Sequence, residues 1–334
     1  MGSIVSFCEP QTNRLSVGQD DRIAVNAPQQ TAASSENSAS KQQLSNGSSS
    51  HRFDMGRRYV NQPDVAYMLP NDDEENDRIH QQHWFFKIIL GGNYHVPIEQ
   101  DLIKGITVLD AGCGPATWSL EMSREYPKTQ FYGCDISAVF PQTVKPQNCH
   151  FDVANILTGL PYPDNHFDFV HQRLLTAGFR ADDWVKDISE LLRVLKPGGW
   201  LELIEWSIDV ENNHGKRMQE LFKVMGKTAQ LRGISLTLAP KLGEYLERGG
   251  ATNIQQQVFK PALKEPDHIG EARWATFCEG YRGLRPLLIK AHPEFENDDN
   301  FEEFLRASGE EAQEHNTRLP IYVFTCQKPA IEKQ

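Results

Sequence analysis

The residues best placed to do chemistry stand at two predicted strand ends. Residues 106–117 read I-T-V-L-D-A-G-C-G-P-A-T, and residues 130–137 read Q-F-Y-G-C-D-I-S. Gly112 and Gly114 carry no Cβ, so a ligand can approach the backbone N–H groups and the N-terminus of the following helix closely. Asp135 ends the second strand, where a carboxylate can accept both hydroxyls of a ribose. Together they describe a nucleoside site. A pyrophosphate-binding turn prefers G-x-G-x-x-G, whereas this turn runs on through Ala116 with no third glycine, which argues against a nicotinamide dinucleotide.

The apolar run Ile106, Val108, Leu109 reads as a buried strand ending in Asp110, and Pro115 predicts a helix over residues 115–125. Residues 130–134, 149–153, 167–170, 200–205, 253–259 and 321–326 read as further strands. Helices are expected over 182–195, 215–231, 240–248 and 268–288, with another after the acidic loop 294–299. Ahead of the first sheet strand, residues 53–92 read as a turn-rich lead-in and then a helix. Asn71 is expected to cap that helix, and Asp72, Asp73, Glu74 and Glu75 suit its N-terminal dipole. Adjacent carboxylates do not converge, so no metal site is expected.

The run D-A-G-C-G-P-A-T-W, with L-P-Y-P-D-N-H-F-D-F-V-H-Q-R-L-L and E-L-L-R-V-L-K-P-G-G-W-L-E-L-I-E-W downstream, resembles the motifs of class I S-adenosylmethionine-dependent methyltransferases. Residues 56–98 ahead of them are similar to the fungal branch of LaeA-like methyltransferases of the velvet regulatory complex. The resemblance implies an α/β, Rossmann-like, doubly wound sheet of seven strands in the order 3-2-1-4-5-7-6, the last antiparallel, under an N-terminal helical lid. It implies S-adenosyl-L-methionine as cofactor, with Asp110, Gly112, Cys113 and Gly114 around the methionine moiety and Asp135 and Ile136 on the ribose. Adenine falls to Ala154 and Asn155, with Asp152 as the alternative carboxylate. His171, Gln172 and Arg173 follow the fourth sheet strand and are expected to face the methionine end and the acceptor. Tyr59 is placed with the cofactor as part of the lid, and Arg57, Gln82 and His83 stand behind it as further candidates.

Transfer of a methyl from a sulfonium disperses charge, so alignment and exclusion of water are expected to dominate. His171 and Glu205 are the candidates by position to remove a proton from an acceptor. Trp206, Phe222, Trp274 and Tyr281 can line an apolar acceptor pocket, although helical spacing also suits a core. Two readings stand side by side. One is an active methyltransferase of an unidentified small molecule or protein, tied to fungal development or secondary metabolism. The other is a non-catalytic regulatory subunit that binds the cofactor and acts through protein partners.

Composition sets outer bounds. A net charge of −11 over 334 residues argues against a nucleic-acid footprint, which needs a basic face. Six scattered cysteines show no C-x-x-C spacing, so reduced thiols and a cytoplasmic or nuclear location are expected. Eight Ser, four Gln and two Asn among residues 29–50 predict a disordered tail over 1–52, ahead of a lid at 53–100 and a catalytic domain at 101–329. Met1-Gly2-Ser3-Ile4-Val5-Ser6 fits an N-myristoylation pattern, and Cys8 stands where a second acyl group would make membrane attachment stable.

Overall fold

A computed structural model describes residues 51–62, 64–208 and 214–330. Its centre is strand β3 (Thr107–Ala111), whose alternating side chains divide the protein into two layers. Leu109 and Ala111 face a cluster holding Trp184, Ile188 and Leu191 of helix α4 (Asp183–Val194). Val108 faces the other layer, with Trp118 and Met122 of helix α3 (Thr117–Glu125). Helices therefore cover both faces of the sheet.

Strands β4 (Gln130–Asp135) and β5 (Cys149–Val153) lie parallel on one side of β3, and β6 (Phe167–Arg173) and β7 (Leu195–Trp206) on the other. Strand β8 (Thr252–Phe259) forms the edge, with β9 (Ile321–Gln327) inserted antiparallel between β7 and β8. The order β5-β4-β3-β6-β7-β9-β8 is the expected 3-2-1-4-5-7-6. Order reverses between β3 and β6, and the C-terminal ends of strands at that switch point are where an open parallel sheet offers a ligand crevice.

Several boundaries differ from the sequence reading. Strand β6, expected over 167–170, runs on to Arg173, so His171, Gln172 and Arg173 lie within it instead of after it. Helix α3 starts at Thr117, not at Pro115, because Ala116 takes a left-handed conformation at φ 63° and turns the chain before the helix begins. Strand β7 begins at Leu195 and carries Lys196-Pro197-Gly198-Gly199 within it, where a helix stop was expected to separate the elements. Structure also begins earlier than Phe53. A hairpin of β1 (His51–Asp54) and β2 (Arg57–Val60) replaces the turn-rich lead-in, and its two loop residues, Met55 and Gly56, both have positive φ, as a tight hairpin turn requires.

The hairpin anchors helix α1 (Asp73–Leu90). Its cap is Asp72 rather than Asn71: the Asp72 carboxylate accepts from Glu75 N and, bidentately, from Arg57 Nε and Nη2 at 2.8 Å each. Asn71 instead donates to Ser137 Oγ at 3.3 Å, tying the start of the helix to the chain beyond β4. Tyr59 donates to Gly283 O of helix α7 (His268–Leu288), so hairpin and α7 are joined. After β7, helix α5 (Lys216–Gln230) packs with α7 and with helix α8 (Asp298–Glu314) into a separate apolar cluster above the sheet. Helices α2 (Glu99–Lys104) and α6 (Leu242–Arg248) complete the two layers.

One buried carboxyl is shifted strongly by its surroundings. Gln172 Nε2 donates to Asp187 Oδ2 at 2.9 Å, while Asp187 Oδ1 lacks a partner among the described residues. Burial pushes this carboxyl up to about 8. Its folded value lies above its unfolded one, so the stability it contributes is full below about pH 4 and is lost as pH rises through about 8. An asparagine amide at this position is uncharged at every pH. Asp187→Asn is therefore expected to gain on the wild type by more than about 1 kcal/mol between pH 5 and pH 8, measured by urea denaturation at both values.

Candidate active site

The C-terminal ends of β3, β4 and β6 open into one cavity of about 270 Å³ beneath α1. Its floor is the turn at 112–116. Gly112 has φ 71°, and a Cβ there would meet Leu175 Cδ2 at 2.8 Å. Gly114 has φ 53° with only Ile79 Cδ1 as near as 4.0 Å, so a side chain at Gly114 would take up cavity space instead of protein space. Asp135 holds the turn in place: Oδ2 accepts from Gly114 N and Oδ1 from Ser137 N, each at 2.9 Å. Each oxygen keeps a second lone pair for a ligand. Burial raises Asp135 to about 6, with the backbone donors working against that rise.

Asp110 lines the same floor and accepts from Ser119 Oγ at 2.6 Å, which fixes its carboxylate against α3. Cys113, Ile136, Ala154 and Asn155 also line the cavity. Burial pushes the Cys113 thiol up, so it stays protonated. Asn155 Oδ1 accepts from Leu157 N at 3.0 Å, which leaves its amide N–H groups for a ligand. Asp152, the alternative, does not line the cavity and accepts from the Tyr162 hydroxyl.

The lid supplies Gln82, Ile79 and the buried pair Glu75–Arg78, bound at 2.6 and 2.9 Å. Arg57 and His83 do not line the cavity: Arg57 is spent on Asp72, and His83 lies between Arg173 and Glu121. Tyr59 is a correction. It is 1% exposed, packs beside α7 and lines no part of the cavity, because strand pairing turns it toward the helix.

His171 reaches the cavity wall, stacked on Trp118 with ring centroids 4.1 Å apart. Glu202 Oε1 lies 3.1 Å from His171 Nδ1, and its other oxygen accepts from His95 N at 2.7 Å. A charged carboxylate only accepts, so Nδ1 carries the proton and Nε2 is left without a partner among the described residues. Glu205 is a second correction. It is fully buried and outside the cavity wall, accepting from Leu175 N at 2.8 Å, Thr176 N at 3.0 Å and Thr176 Oγ1 at 2.6 Å. Its carboxylate pins the loop after β6, the same loop whose Leu175 packs on Gly112.

Beyond the polar floor the cavity becomes apolar. Trp206 and Tyr281 line it as expected, whereas Phe222 and Trp274 are core residues of the helical cluster. Met225, Leu236, Phe277 and Leu284 join the wall and were not singled out from the sequence, because the same apolar periodicity that buries one helix face also supplies a pocket wall. Tyr281 Oη lacks a partner among the described residues.

Residues 108–199 match the methyltransferase domain family. The match spans the glycine turn, Asp135, Asn155, His171 and the start of β7. The chain is that of an S-adenosylmethionine-dependent methyltransferase. It is 27% identical to a methyltransferase, pytC, of Aspergillus terreus over 86% of this chain and 87% of that one. It is 33% identical to the N-methyltransferase verN of Clonostachys rogersoniana over 42% of this chain and 50% of that one. It is 31% identical to the secondary metabolism regulator laeA of Coprinopsis cinerea over 50% of this chain and 42% of that one. The chain thus spans half or less of the last two proteins. Secondary metabolism regulators of the LaeA kind are thus among its relatives.

For this methyltransferase the cofactor is S-adenosylmethionine. Among the described residues no helix is long and apolar enough to cross a membrane. Glu205→Gln is expected to lower stability by about 1–3 kcal/mol in urea denaturation, because an amide N–H would face backbone donors. Cofactor affinity, measured by calorimetry well below the melting temperature, should remain within about threefold of the wild type, as the buried carboxylate acts through the loop fold.

Proposed function

We propose that this methyltransferase acts on an apolar small molecule held between the glycine turn and the wall of α5 and α7. The observation that carries this reading is the continuity of one cavity from a polar floor to an apolar chamber. A chamber walled by Trp206, Met225, Phe277 and Leu284 favours an uncharged ring or alkyl surface over a charged protein side chain. Tyr281 Oη offers one hydrogen bond to a heteroatom of such a molecule.

When bound, S-adenosylmethionine supplies an electrophilic methyl group. Asp110, Gly112, Cys113 and Gly114 are the residues proposed to hold its methionine end, Asp135 and Ile136 its ribose, and Ala154 and Asn155 its adenine. The lid at residues 53–100 excludes water above the domain at 101–329, and the apolar wall orients the acceptor, which supports rate enhancement by alignment. Where the acceptor loses a proton, His171 is the proposed base, oriented by Glu202. A second reading, a regulatory subunit that binds the cofactor and works through protein partners, draws support from relatives named as secondary metabolism regulators. A cytoplasmic or nuclear location accompanies either reading. Acylation at Gly2 and Cys8 would add membrane attachment; both residues lie outside the described ones, as does the tail up to residue 50.

Calorimetric titration with S-adenosylmethionine should give a Kd in about the micromolar range, weakened at least about tenfold in Asp135→Ala, consistent with loss of a charged hydrogen-bonding partner. Affinity should fall as pH drops below about 6, since a protonated Asp135 accepts less well. Incubation of the protein with methyl-labelled cofactor and a fungal extract then decides the acceptor. Label in the organic-soluble fraction supports the proposal, label confined to protein overturns the small-molecule assignment, and binding without transfer to any fraction favours the regulatory reading.

A further inference from the structure

We infer that Arg173 binds the carboxylate at the amino-acid end of S-adenosylmethionine, an assignment that rests on the cofactor reading above. Arg173 is the last residue of β6 and lines the cavity. In the parallel register Ala111 pairs with Gln172, so the next position sets Arg173 beside Gly112. Asp135 flanks the same turn from β4, across the register Ala111 with Cys134. A carboxylate on one side of the glycine turn and a guanidinium on the other match a ligand with hydroxyls at one end and an anion at the other.

The guanidinium is oriented but not neutralised. Its Nη2 donates to His83 Nδ1 at 3.1 Å, and its central carbon lies 5.6 Å from the Phe86 ring centroid. Arginine only donates, so His83 Nδ1 must be the acceptor and its ring proton sits on Nε2. That proton is donated to Glu121 Oε2 at 2.6 Å, and Glu121 is paired with Lys87 as well. Burial, together with the Arg173 charge, pushes His83 down to about 4, so the relay is neutral at pH 7. Asp110, Glu202 and Glu121 attract Arg173 from a distance, yet no carboxylate among the described residues forms an ion pair with it. A half-buried cation without a contacting anion is unfavourable, and a ligand carboxylate would relieve it. An anionic acceptor is the other source of such a group. The position beside Gly112, on the polar floor and not in the apolar chamber, favours the cofactor.

Calorimetry on the whole chain with S-adenosylmethionine and with its decarboxylated analogue, which lacks only this group, tests the assignment. Wild-type protein should bind the analogue about tenfold to hundredfold more weakly, as expected for a lost charge-assisted hydrogen bond. Arg173→Met should lose affinity for S-adenosylmethionine and bind the two compounds alike, with affinity for the analogue unchanged; that last arm also reports that the variant is folded. A variant that keeps the wild-type preference overturns the assignment, and so does one that weakens both compounds equally, which marks a structural role. If the wild type binds neither compound, the cofactor reading itself fails and the role of Arg173 with it.

Discussion

A half-buried carboxylate at a strand tip is the constraint from which the site follows. Asp135 is partly withdrawn from water, and such a carboxylate must be met by donors. The donors available at that point are backbone N–H groups, those of Gly114 across the turn and Ser137 after the strand. To present its N–H to Asp135, the 112–116 segment must leave β3 through three left-handed residues, Gly112, Gly114 and Ala116, alternating with ordinary ones. Two of those are glycine for that reason. The same turn empties the space that a ligand can enter and starts α3 at the far side of it.

The loop after β6 is held by the same logic. Glu205 satisfies three donors of residues 175–176 and thereby seats Leu175 against Gly112, where no side chain could stand. Placement of Glu205 near the strand end suggested a proton acceptor, but the unpaired N–H groups of an irregular loop claim its oxygens first. Tyr59 shows the complementary case. Its hydroxyl could have served a ligand, yet the two-residue hairpin turn sets the strand register, and the register directs Tyr59 to Gly283 O.

The lid is fastened at both ends and shaped in the middle. Asp72 caps α1 and binds Arg57, while Asn71 reaches Ser137, so the helix start is tied to the end of the strand that carries Asp135. At its other end, His95 beyond the helix joins His171 on Glu202. Between these points Ile79 covers Gly114, and His83 holds Arg173 through a neutral imidazole. Helix α7 packs on α1, and α5 and α7 supply Met225, Phe277, Tyr281 and Leu284 to the apolar end of the cavity that α1 covers.

The amino-acid sequence determined what local chemistry dictates: the strand that ends in a glycine turn, the Asp at the end of the next strand, the strand order through its motifs, and the polar character of the floor. These were legible because conformational demands on glycine and the alternation of buried strands act over a few residues. Asn155 came from the family resemblance, with Asp152 as its alternative, and of the two it is Asn155 that lines the cavity. Only the tertiary structure decided which side chains spend their hydrogen bonds on protein and which keep them for a ligand. Glu205 and Tyr59 were claimed by backbone, Phe222 and Trp274 by the core, and Arg173 by no anion. An apolar stripe on a helix looks the same whether it meets another helix or an empty chamber, and a charge looks the same whether or not its partner arrives from distant sequence. Such pairings are set by packing between remote elements, to which spacing along the chain is blind.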